Sequence, residues 1–160
     1  MNLDDVTLWP PLGLRVVGAG LELAWASDEL VFDLARAAAD GVHDESFMPF
    51  VVPWTRGTPE QVGRSTLQFA WGRRHVLSPD DWCLQMAVLR DGEVLGLQDA
   101  FARHLGYREN GTATAAREGA PVESRQFRME REDWEARPEW MRPEVTIHGV
   151  EPVRGLLEIA

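Results

Sequence analysis

Asp91-Gly92, set between two apolar runs, commits this chain to a β-hairpin and therefore to a sheet. A two-residue hairpin loop needs positive φ at both positions, which aspartate tolerates and glycine adopts freely. Ahead of it, a strand is expected from Trp82 to Arg90, with Trp82, Leu84, Met86 and Val88 on one face. Behind it, Glu93 to Gln98 is the returning strand.

Helix signals lie upstream. Ser27 followed by Asp28 and Glu29 places a capping hydroxyl and two acids at the positive end of a helix dipole. That helix ends at Asp40-Gly41, and Leu30, Leu34, Ala37 and Ala38 are predicted to share its inner face. Thr58-Pro59-Glu60-Gln61 joins a cap, a proline at the first helical position and a capping-box glutamine. This second helix is expected to run to about His75, with Val62, Thr66, Phe69 and Ala70 facing inward. Between the helices lies an apolar loop, Phe47 to Trp54, whose Pro49 and Pro53 bar it from a central strand or a continuing helix. Leu21–Trp25 alternates like a half-buried strand. The short run Leu14–Val17 precedes it, broken by Gly18-Ala19-Gly20, and residues 1–13 read as an irregular lead-in.

After Asp99 the pattern changes. Phe101 to Gly106 reads as the last turns of a helix capped by Gly106. Strands are expected over Thr112–Arg117 and Val122–Met129, joined around Glu118-Gly119-Ala120-Pro121. A helical turn is expected over Glu130–Arg137 and a short last strand over Val145–Ile147. At 160 residues the chain reads as one domain, 1–160. The fold class is α/β, or α+β in a stricter scheme: a mostly antiparallel sheet with two helices on one side.

Charge narrows the function classes. Sixteen Lys and Arg against 26 Asp and Glu give a formal net charge of -10. Such a surface repels phosphate backbones and anionic lipid heads, so neither nucleic acid nor membrane is an expected partner. The lone Cys83 rules out an intrachain disulfide and reads as a small buried hydrophobe. His43, His75, His104 and His148 are too scattered for ligand spacing, so no metal is expected. The acidic start, with no long apolar run after it, points to the cytoplasm. No Gly-x-Ser-x-Gly elbow, P-loop or His-Glu-x-x-His motif is present.

Three segments carry a family resemblance. Leu21-Glu22-Leu23 running into Ser27-Asp28-Glu29-Leu30 is the first, and Trp82–Gln98 with its Asp91-Gly92 turn is the second. Arg103-His104-Leu105-Gly106-Tyr107-Arg108-Glu109-Asn110-Gly111 is the third. In this order they resemble the GCN5-related N-acetyltransferase superfamily, closest to its branch that acetylates N-terminal amines of ribosomal proteins. The loop Met48-Pro49-Phe50 to Trp54 and the tail Gly149-Val150-Glu151-Pro152 look like a bacterial subgroup of that branch. The resemblance implies a truncated acetyltransferase-like core, acetyl-CoA as donor, and a small amine or peptide N-terminus as acceptor. It also makes Met48, Phe50, Trp54, Trp71 and Trp82 candidates for the acceptor pocket; the alternative is that they seal a core.

The departure from the family is as informative. Members carry a strand, a pyrophosphate-gripping loop and a helix between the hairpin and the Leu-Gly-Tyr segment. Here only Asp99 and Ala100 separate Gln98 from Phe101. The one literal loop match, Arg15-Val16-Val17-Gly18-Ala19-Gly20, precedes a strand where the motif needs a helix, so it reads as a turn. Tyr107, the only tyrosine, matches a core aromatic. Catalytic and cofactor-binding residues are therefore unassigned. Three readings stay open: an N-acetyltransferase-like protein, a non-catalytic binding or interaction module, and an internally deleted form of an active acetyltransferase. The bared edge Glu93–Gln98 is expected to pair with a symmetry mate in a homodimer. The competing expectation has Thr112–Met129 fold over that edge in a monomer.

Overall fold

A computed structural model describes residues 3–98, 108–117, 119–139, 142 and 144–159. They fall into two compact units, one drawn from 1–42, 57–98 and 144–160, the other from 43–56 and 99–143. In chain order the first half holds α1 (Asp5–Leu8), a 3-10 turn (Pro10–Gly13), β1 (Arg15–Gly18), β2 (Leu21–Trp25), α2 (Asp28–Asp40) and α3 (Pro59–His75). β3 (Met86–Arg90), β4 (Glu93–Leu97), β5 (Arg108–Arg117), β6 (Ala120–Arg128), α4 (Arg131–Glu135), β7 (Val145–His148) and α5 (Val150–Leu157) follow.

The first unit is built on a five-stranded sheet of order β4–β3–β2–β1–β7, antiparallel at every step. Together with its helices this is an α+β fold. Its hairpins form where local chemistry asks for them. Asp91 and Gly92 take φ of 52° and 82°, both left-handed, and close β3 onto β4. Ala19 and Gly20 do the same between β1 and β2, at 52° and 73°. The helix starts are equally local: the Ser27 hydroxyl accepts from Leu30 N–H, and Thr58 and Gln61 form a complete capping box.

Alternation along the strands splits the core into two layers. Ala24, Ala87 and Leu89 point to one side, where Val31 and Leu34 of α2 and Ala70 of α3 cover them. Met86 and the half-buried Leu23 point to the other, against Leu14 and against Val153 and Leu157 of α5. Helices thus cover both sides of the sheet rather than one. The unexpected layer is α5, which begins at Gly149 in the left-handed region and tolerates Pro152 in its first turn. Val153 and Leu157, one helical turn apart, both bury.

Several expected details shift for tertiary reasons. On α2 the buried set is Val31, Leu34, Ala35 and Ala38, while Ala37 is exposed and Leu30 half-buried. This helix faces α3 as well as the sheet, and Gly63 of α3 lies close against the Ala35 carbonyl. On α3 the buried arc runs from Val62 through Ala70 to the half-buried Leu67, leaving Phe69 61% exposed just outside it. β3 begins at Met86, not Trp82, because its partner β2 ends at Trp25, paired with Met86, and the chain then turns into α2. Trp82 and Cys83 are consequently exposed, so Cys83 is not the buried hydrophobe expected of it. From Asp4 on, the lead-in is regular: Asp4 caps α1 by accepting from Thr7 N–H, and the 3-10 turn follows.

In the second unit β5 and β6 pair with each other as a two-stranded sheet, joined through Arg117↔Ala120. Both are longer than predicted, and the register slips between Glu109 and Thr112. Thr112–Met129 thus pairs within its own two-stranded sheet, and among the described residues the partner of β4 is β3. The predicted helix end Phe101–Gly106 lies outside the described residues.

Candidate functional site

The loop between α2 and α3 folds on itself around His43. Its Nδ1 lies 2.7 Å from the Asp44 carbonyl and its Nε2 2.7 Å from Thr55 Oγ1. A carbonyl only accepts, so Nδ1 carries a proton toward Asp44, and Nε2 is left to pair with the Thr55 hydroxyl. This closes a loop between residues twelve positions apart. Asp44 tightens its start by accepting from both the hydroxyl and the N–H of Ser46, which holds its carboxyl below the usual range.

Aromatic side chains stack along this closure. Phe50 meets the His43 ring edge-on at 5.6 Å and lies 5.0 Å from Trp54, tilted by 45°. Met48 Sδ sits 3.8 Å from Thr55 Oγ1. Phe47 carries the Arg117 guanidinium 5.7 Å above its ring, tying the loop to β5 within the second unit. Three of the predicted acceptor residues, Met48, Phe50 and Trp54, are thus brought together. His43 and Thr55, which organise them, went unremarked as site residues in the sequence. The Asp-x-Ser turn at 44–46 is the signal that could have marked the closure.

Trp71 and Trp82 belong to the other unit. Trp71 meets Phe32 edge-on at 6.2 Å and donates its indole N–H to Asp28 Oδ1 at 3.2 Å. Arg74 bonds the same carboxylate and also the Ala26 carbonyl, so it staples the end of α3 to the start of α2. Arg74 first and Trp71 second hold the Asp28 carboxyl below its ordinary value. These contacts serve the helix pair. Trp82 is 48% exposed.

Two further places carry arginines that could face an anionic ligand. Arg15–Gly20 forms β1 and the β1–β2 turn, and the chain continues as β2, so no helix N-terminus stands behind its glycines. Arg15 itself is spent on Glu22. In the second unit a polar cleft of about 360 Å³ is lined by Arg108, Glu109, Asn110, Arg128 and Glu130. Arg108 is paired there with Asp133 and Arg128 with Glu130, so the cleft holds its own counter-charges. At each of these two places the arginines already face carboxylates, which leaves little positive charge for a pyrophosphate. Among the described residues no group of three or more His, Cys, Asp or Glu converges to hold a metal, and no helix is long and apolar enough to cross a membrane. No protein-family model matches the chain.

Proposed function

We propose that this chain is an N-acetyltransferase-like protein, descended from enzymes that acetylate a small amine or a peptide N-terminus, and that it acts as a non-catalytic binding module. The observation that carries the reading is the sequence β1–β2–α2–α3–β3–β4: adjacent antiparallel strands, with two helices packed on one face between the second and third. From β2 onward, strand, helix, loop, helix and hairpin follow in the order the resemblance implies for the acceptor side, which supports the reading as far as β4. The donor side has no counterpart in the described residues, and the one loop-like glycine motif is a hairpin turn. Acetyl transfer needs the thioester held and its carbonyl polarised by preorganised donors. A protein lacking that grip retains recognition without turnover. A net charge of -10 suits a cationic amine as the bound group.

The same proposal places the protein in the cytoplasm, where an exposed free thiol such as Cys83 stays reduced. It also has the β4 edge pair with a second copy about a two-fold axis.

Titration calorimetry with acetyl-CoA tests the central claim. No heat of binding is expected at micromolar concentrations. A micromolar dissociation constant would overturn the module reading and restore an enzyme. A peptide with a free N-terminal amine should bind more tightly than the same peptide acetylated at its N-terminus, and equal affinities would remove the acceptor-side assignment.

A further inference from the structure

No further inference is drawn: the strongest candidate, the apolar row Val88–Leu23–Val16–Ile147 that crosses β3, β2, β1 and β7 on the α5 side of the sheet, is only half-buried over its first three residues and exposed at Ile147, and nothing in the structure shows what covers it.

Discussion

Gly149 lies so close to Gly13 that a β-carbon on it would stand 2.2 Å from the Gly13 carbonyl oxygen and 2.8 Å from the Leu14 amide nitrogen. Its φ of 73° is left-handed as well. Two independent constraints therefore demand glycine where β7 hands over to α5, which supplies Val153 and Leu157 to the core.

Gly149→Ala is accordingly expected to destabilise the first unit by about 3 kcal/mol or more, combining a left-handed alanine with a backbone clash that nothing flexible relieves. Chemical denaturation would read this as a lower midpoint at unchanged slope. A variant that melts like the parent would mean that β7 and α5 join differently.

The Asp91-Gly92 turn gives a milder contrast. Open space surrounds Gly92, so its only constraint is a φ of 82°. Gly92→Val should cost about 1–2 kcal/mol, the penalty for a bulky residue in left-handed backbone. Gly72 is the control: it sits exposed inside α3 with nothing within 4 Å of an added β-carbon. Gly72→Ala should stabilise by about 0.5–1 kcal/mol through helix propensity alone. If both substitutions were neutral, the positive-φ turn assignment would lose its support.

Asp28 ties stability to pH. Its folded carboxyl titrates below the ordinary aspartate value, chiefly through Arg74 and then Trp71. A depressed folded value means the stabilisation is present above the unfolded value and is lost as pH falls through the folded one. Asp28 is exposed, so the contribution is that of a surface pair, about 0.2–1 kcal/mol. Asp28→Asn should therefore lower the melting temperature slightly at neutral pH, and the gap to the parent should close in acid, below the titration of this carboxyl. A gap that stays constant across the whole range would remove the ion pair as its cause.

Association through β4 is expected to be weak. Leu95 is 53% exposed and neither proline nor lysine interrupts the strand, so pairing can bury apolar surface. The register shift opposite Val88 and Leu89 bends the edge and shortens the stretch that pairs regularly. A five-residue strand contributes little of the roughly 1,200–2,000 Å² that stable interfaces bury, so a dimer should appear only at high protein concentration. Light scattering against concentration measures this. Leu95→Lys should abolish the dimer and spare the fold, whereas Val94 packs against the core and would confuse the result. A monomer that persists at high concentration would rule the association out.

What the chain determined by itself lies within a few residues of each signal. Asp91-Gly92, the Ser27 cap and the Thr58–Gln61 capping box work through backbone φ and hydrogen bonds to near neighbours, and each formed where the residues asked for it. Proximity of Met48, Phe50 and Trp54 was legible for the same reason, since they share one short loop. The rest was decided at long range. Which arc of α3 buries depends on α2 lying beside Gly63, so Phe69, apolar and well spaced, still faces solvent. Where β3 begins depends on where β2 ends, and this exposes Trp82 and Cys83. β7 joins β1 across more than a hundred residues, and α5 is held by the core it covers; neither has a turn or cap that declares its partner. Trp71 and Trp82 entered the acceptor group through the family resemblance, and side-chain chemistry carries no record of which unit a residue joins. That follows from burial against neighbours distant in sequence, and only the tertiary structure supplies those neighbours.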